Sequence, residues 1–174
     1  MRRIWYVVGA LGVVTALAYA RDTAPPTAIA GTPTPLSAAS MHVIADEKCG
    51  WPAGYQARTV QMLRGEVVEV GVAATDVVIC SVRSSGHSLV RGEEDASGAA
   101  YVASGTALVW DDEVLKIGRI APEVAVLELV LPSGRAVKAE LYGEVFLCRV
   151  PERITTLRFR AYDAGGRLLR DALI

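Results

Sequence analysis

The residues with the most distinctive chemistry in this sequence are three cysteines, Cys49, Cys80 and Cys148. The chain carries an export signal, described below, and disulfides persist in oxidising compartments, so three thiols predict one disulfide and one free thiol. Cys80 and Cys148 both fall within strand patterns, as a bridge between two sheets requires, and their pairing is our first prediction. Two alternatives stay open: Cys49 pairs with either strand cysteine, or all three are free, since free cysteine is a common core residue.

The two histidines, His42 and His87, are isolated in the sequence. Glu93 and Glu94 follow His87 closely, so metal binding or acid/base chemistry is one interpretation of this stretch. The spacing matches no known set of metal ligands, and a solvated loop histidine is the favoured interpretation.

Aromatic residues offer a second type of site, a patch that binds a ligand through its rings. Trp51, Tyr55 and Trp110 are the candidates, but in a chain with only 6% aromatic residues anchoring of the core is the favoured role. We predict that any interaction surface lies in the loops at 41–55 and 84–98. Its candidate contacts are Trp51, Tyr55, His87, Glu93 and Glu94.

Sequence signatures of catalysis and of cofactor binding are missing. The serines of 84–86 and Ser104 lack the flanking glycines and the following helix of a nucleophile elbow, and no glycine-rich phosphate loop occurs. The acidic triplet 111–113 lacks the alternating ligands and central glycine of a calcium loop. We therefore predict no catalytic residue, no cofactor, no metal and no enzyme activity.

The elements that would position these residues are strands, and the clearest pair lies within 118–150. Both faces of 124–131 are largely apolar, which predicts a mostly buried strand, whereas 136–142 alternates as a half-solvated partner does. Between them, Pro132, Ser133 and Gly134 predict a three-residue hairpin turn in which Gly134 takes a positive φ.

Similar alternation recurs along the rest of the chain. A second hairpin is predicted from 66–72 and 76–83, the polar stretch 84–98 is predicted as a loop or a loop around a short strand at 88–91, and 167–174 is predicted as a closing edge strand. The spacing gives about eight or nine short strands and no helix after the leader. The predicted fold is all-β, an antiparallel β-sandwich, Ig-like or similar.

The N-terminus has the features of an export signal. Two arginines precede an uncharged apolar run at 4–20 that ends in Ala18-Tyr19-Ala20, a small-x-small cleavage site. A cleaved signal peptide is the favoured interpretation, and an uncleaved membrane anchor is the alternative, because about 17 residues is the lower limit for a span. Either places the domain outside the cytoplasm.

Composition sets the remaining boundaries. The stretch 21–40 is rich in Pro, Thr, Ala and Ser and predicts a disordered linker, which leaves 41–174 as the folded domain. Without Arg2 and Arg3, 16 of the 18 basic residues remain against 19 acidic ones, a formal charge of −3. Nucleic acid is therefore excluded as an expected partner, since backbone binding needs a positive surface.

The stretch GRIAPEVAVLELVLPSGRAVKAELYGEVFLCRVP and the later AYDAGGRLL resemble small exported β-proteins of unknown function from GC-rich Gram-positive bacteria. The shared features are a glycine-led strand at Gly118, a P-x-V-x-x-V-type strand at 122–126, a hairpin turn at 133–135 and a strand from Phe146 to Pro151. The resemblance covers about 77–170. The resemblance implies a β-fold and a location outside the cytoplasm, and it assigns no catalytic residue.

Together these features predict an exported or membrane-tethered β-sandwich that acts as a binding or interaction module of the cell envelope. Its expected partners are another envelope protein and, if the leader is uncleaved, the membrane through residues 4–20. Two alternatives remain: an extracytoplasmic hydrolase that uses the 84–98 loop, and a sensor ectodomain on a single anchor.

Overall fold

The structure of the protein is a computed structural model that describes residues 35–93, 96, 100–151 and 158–173. The predicted leader, and the predicted linker as far as residue 34, lie outside the described residues. In the part that is described, no helix combines the length and the apolar character needed to cross a membrane.

The described chain is mostly antiparallel β-structure, which confirms the all-β prediction, and its strands form three four-stranded sheets. The first sheet contains β1 (Gln56–Leu63), β2 (Glu66–Ala73), β3 (Asp76–Arg83) and β4 (Gly86–Glu93) in that order. The second, in the order β5-β6-β10-β9, contains β5 (Val102–Val109), β6 (Val114–Ile120), β9 (Glu140–Tyr142) and β10 (Val145–Val150). The third, in the order β12-β11-β7-β8, contains β7 (Val126–Val130), β8 (Ala136–Lys138), β11 (Arg158–Tyr162) and β12 (Leu168–Leu173).

Three clusters of buried apolar residues show how these elements pack. One is shared by the first and second sheets, where Val70 and Ile79 meet Leu115 and Ile117. Another is shared by the second and third sheets and includes Phe146 and Leu127. Because the second sheet contributes to both clusters, β6 and β10 bury apolar side chains on both faces.

The third cluster lies on the other face of the first sheet, where a helix covers it. This helix, α1 (Ala38–Lys48), buries Met41 and Ala45 against the sheet. Ser37 caps it by accepting a hydrogen bond from the Ser40 backbone N–H over 3.1 Å. The prediction of no helix after the leader is thus wrong, and the helix begins inside the predicted linker. The hydrophobic pattern of the sequence did not reveal the helix, because an apolar side chain, Val43, lies on its exposed face.

The hairpin of β2 and β3 forms as predicted, with Val70 opposite Ile79. The turn after β7 also forms as predicted: Gly134 has φ +84°, and its N–H donates to the Leu131 carbonyl over 2.8 Å. The predicted partner strand 136–142, however, is two strands. β8 pairs with β7 in the third sheet, whereas β9 pairs with β10 in the second, so this stretch passes from one sheet to the other.

The burial of β7 and the length of β4 differ from the predictions. β7 has one fully buried face, with Leu127 and Leu129, and a half-buried opposite face, so it is less enclosed than predicted. β4 extends over eight residues of the predicted 84–98 loop, beyond the short strand expected there. β12 is an edge strand, as predicted.

Candidate functional site

The most concentrated set of reactive side chains lies between α1 and the first sheet. Glu69 of β2 points toward the helix, and its side chain is 1% exposed. His42 of α1 donates its Nδ1–H to Glu69 Oε2 over 2.7 Å, and the Tyr55 hydroxyl donates to Glu69 Oε1 over 3.1 Å. Both carboxylate oxygens therefore have a donor, which a buried charge requires. We call these three residues the Glu69 cluster.

An aromatic stack lies next to the Glu69 cluster. The rings of Trp51 and Tyr55 are parallel, with centroids 4.0 Å apart and an interplanar angle of 6°. The indole N–H of Trp51 donates to Asp46 Oδ1 of the helix over 3.0 Å. Tyr55 reaches its place because residue 71 is glycine: a Cβ there would lie 2.6 Å from Tyr55 Cε2 and would overlap the Gln56 carbonyl. Trp51 and Tyr55, predicted together as interaction residues, are thus brought together.

The chemistry available to the Glu69 cluster follows from its hydrogen bonds. Burial raises the pKa of Tyr55 above its ordinary value, and the negative charge of Glu69 and the hydrogen bond to it add to the effect. Tyr55 is therefore a neutral donor rather than a base at physiological pH. His42 has the orientation of a carboxylate-held base. In the described chain, however, no hydroxyl or thiol is hydrogen-bonded to it, so the geometry is that of a structural network joining the helix to the sheet.

A disulfide between Cys49 and Cys80 secures the same helix at its C-terminal end, with a Cα–Cα distance of 6.2 Å. The predicted bridge between Cys80 and Cys148 is therefore wrong, although pairing of Cys49 with a strand cysteine was an open alternative. The physical reason is the direction of the side chains. Cys80 faces α1, whereas Cys148 belongs to the core between the second and third sheets. The core between the first and second sheets separates them.

Cys148 is the free thiol, and it is buried. Its sulfur lies 3.9 Å from the Val137 carbonyl oxygen. Burial raises the pKa of this thiol to about 12, so it stays protonated and unreactive at neutral pH. It behaves as a small core residue.

The remaining predicted contacts lie elsewhere. His87 and Glu93 are exposed and occupy opposite ends of β4, where His87 is across from Val82 and Glu93 is across from Asp76. Glu94 lies outside the described residues. His87 has no hydrogen-bonding partner in the described part of the chain.

A second buried glutamate, Glu66, lies on the opposite face of β2 and was not predicted. It accepts hydrogen bonds from Ser81 Oγ and, over 3.3 Å, from Trp110 Nε1, while Arg83 approaches to 3.7 Å. Ser81 is fully buried, so no substrate reaches it. The available signal was the sequence of β2, EVVEVGVA, in which two acids interrupt an otherwise apolar strand. Trp110 packs against the core of the first and second sheets, as expected of an anchor.

Groups of three or more side chains placed to hold a metal ion do not occur among the described residues. No protein-family model matches the chain, and no curated protein and no solved structure is significantly similar to it. The interpretation of the candidate site therefore rests on the geometry of its own residues.

Proposed function

We propose that this chain is an exported binding module of the cell envelope, secreted or anchored by residues 4–20 at the outer face of the cytoplasmic membrane. The apolar leader and the Cys49–Cys80 bridge support export, because disulfides persist in oxidising compartments. The shared cores between neighbouring sheets support the finer description of the fold as a β-sandwich.

The observation that carries the binding role is apolar exposure on the helix-covered side of the first sheet. Val43 on α1 is 56% exposed, Leu36 just before the helix is 44% exposed, and Met62 on β1 is 44% exposed. Met62 shares its side of β1 with Val60, which packs in the cluster under the helix. Contiguous exposed apolar patches mark interaction surfaces, and we propose that these three side chains belong to one such patch. We call Leu36, Val43 and Met62 the helix-side surface.

A helix held at several points makes this surface suitable for binding. The disulfide fixes the C-terminal end of α1, His42 fixes its middle through Glu69, and Met41 and Ala45 pack beneath it. A pre-organised surface loses less conformational entropy when a partner binds. The partner expected on chemical grounds is another envelope protein with a complementary apolar surface.

The test is site-specific photo-crosslinking of the full chain in intact cells. A crosslinker at position 43 is expected to capture a discrete protein, whereas one at position 173 on β12, where Leu173 is 70% exposed, serves as the matched control. Val43→Glu is expected to weaken binding of the captured protein, once purified, by at least about tenfold. Equal capture at both positions would contradict the proposal, as would substrate turnover that is lost in His87→Ala.

Determination of the mature N-terminus separates the two modes of attachment. A chain that starts at Arg21 is released from the membrane, and one that starts at Met1 is anchored. The anchored form is also the one that a sensor ectodomain requires.

A further inference from the structure

A depression of about 440 Å³ opens where β8 and the end of β10 separate. Val137 and Lys138 of β8 line one side, together with Arg135 just before the strand. Arg149 and Pro151 line the other side. The depression is shallow and open to solvent.

The passage of the chain from the third sheet to the second creates this depression. Ala139 still donates its N–H to the Leu127 carbonyl of the third sheet over 2.9 Å, whereas Glu140 is already opposite Leu147 of the second sheet. β8 therefore belongs to the third sheet up to its end at Lys138, whereas β10 continues beyond Leu147 in the second sheet. The two strands therefore diverge, and Arg149 faces the same opening as Lys138 and Arg135, from which it is 11 and 14 residues distant in sequence.

Three cations line the depression. Arg135, Lys138 and Arg149 are exposed, and none forms an ion pair with a described residue. Several other arginines contact an acid: Arg58 with Glu144, Arg64 with Asp112, and Arg158 with Asp171.

Acidic side chains also lie in or near the depression. Glu113 also lines the depression, but Arg64 Nε lies 3.5 Å from its carboxylate. Glu140, which interacts electrostatically with Arg149, already accepts a hydrogen bond from the Tyr142 hydroxyl over 2.6 Å. Glu128, opposite Lys138 in the sheet, is 3.4 Å from the Tyr162 hydroxyl. The lining itself contains three cations and one carboxylate.

We propose that this depression, which we call the β8–β10 site, binds a small ligand that carries a carboxylate or phosphate group. Arg135 and Arg149 supply planar guanidinium groups that pair with either anion through two parallel hydrogen bonds, and Lys138 adds a point charge. Val137 and Pro151 give the site an apolar side. The β8–β10 site is separate from the helix-side surface. It therefore adds a small anionic ligand to the protein partner proposed above, and failure of either proposal leaves the other intact.

The experiment is isothermal titration calorimetry of the purified full chain with citrate and, separately, with inorganic phosphate, at an ionic strength held constant with chloride. Saturable one-to-one binding of at least one of the two anions is expected. Binding of citrate alone assigns a carboxylate ligand, binding of phosphate alone assigns a phosphate ligand, and binding of both assigns the charge that they share.

Substitutions test whether the anion binds at the β8–β10 site. Arg149→Gln and Lys138→Gln are each expected to weaken binding, and together by at least about tenfold, because they remove two of the three cations. Glu113→Gln is expected to strengthen it, because it removes the acid from the lining. Arg170→Gln is the matched control: Arg170 is an exposed arginine of β12 outside the depression, and its loss should leave binding unchanged. Circular dichroism establishes that each variant is folded.

Two outcomes would overturn the proposal. One is the absence of saturable binding of both anions by the unmodified chain. The other is equal weakening in Arg170→Gln and Arg149→Gln, which would indicate an unlocalised charge effect.

Discussion

The Glu69 cluster and the β8–β10 site differ in the burial and the pairing of their charged side chains. Glu69 is almost completely buried, and both of its oxygens accept hydrogen bonds from neighbouring side chains. The cations of the β8–β10 site are exposed and form no ion pair with a described residue. A satisfied buried charge has little capacity left for a ligand, whereas unpaired cations around an opening retain theirs. The more elaborate network is therefore the structural one, and the simpler opening is the candidate for binding.

The largest effect is expected from the disulfide. Opening the Cys49–Cys80 bridge, which joins residues 31 apart in sequence, should lower the free energy of unfolding by about 3–4 kcal/mol, because the unfolded chain regains loop entropy. Urea unfolding with and without reductant measures the loss. Cys148→Ala separates this pairing from the alternative, since the reductant effect should persist in that variant. Its disappearance there would contradict the Cys49–Cys80 bridge.

Glu69→Ala should have the next largest effect, a loss of about 1–3 kcal/mol in the free energy of unfolding, because the partly exposed His42 and the Tyr55 hydroxyl lose the buried carboxylate that they share. Thermal and urea unfolding provide the measurement. Glu123→Ala, at an exposed position, is the control and should change stability by less than about 0.5 kcal/mol. Anion binding at the β8–β10 site should be unchanged in folded Glu69→Ala. A joint loss of stability and anion binding would show that the two regions are coupled.

A smaller effect is expected at alkaline pH. The pKa of Tyr55 is raised above its ordinary value of 10.0 by burial, and the pKa of Cys148 is raised from 9.0 to about 12, also by burial. The unfolded chain releases these protons first, so their contribution to stability is complete below about pH 9 and falls as pH rises through 9–12. Urea unfolding between pH 7 and 11 tests this. Tyr55→Phe should show a shallower decline above pH 10, and an identical decline would contradict the role of Tyr55.

Much of the fold was predictable because strand alternation and turn chemistry are local. The β2–β3 hairpin and the turn with Gly134 followed from patterns that span a few residues. The helix α1 was missed because Val43 places an apolar residue on its solvent side, so the sequence lacks a clean helical periodicity. The division of 136–142 between two sheets was also missed, since the alternation continues without a break where the strand partner changes.

The candidate sites were less predictable than the fold. Trp51 and Tyr55 were identified together, but their stack depends on the space that Gly71 leaves on β2. The role of His42 was not visible, because its partner Glu69 lies 27 residues away. The cations of the β8–β10 site have no sequence signature, as ordinary spacing separates them and only the parting of β8 and β10 brings them to one opening.

By itself, the sequence determined that this protein is rich in antiparallel strands and where its main turns fall, because backbone preferences and two-residue periodicity act over short distances. Only the tertiary structure decided which cysteines pair. Strand alternation shows that Cys80 and Cys148 lie in strands, but it does not show which of several layers each side chain enters. With three sheets and a covering helix, Cys80 faces the helix and Cys49, while Cys148 remains alone in another core.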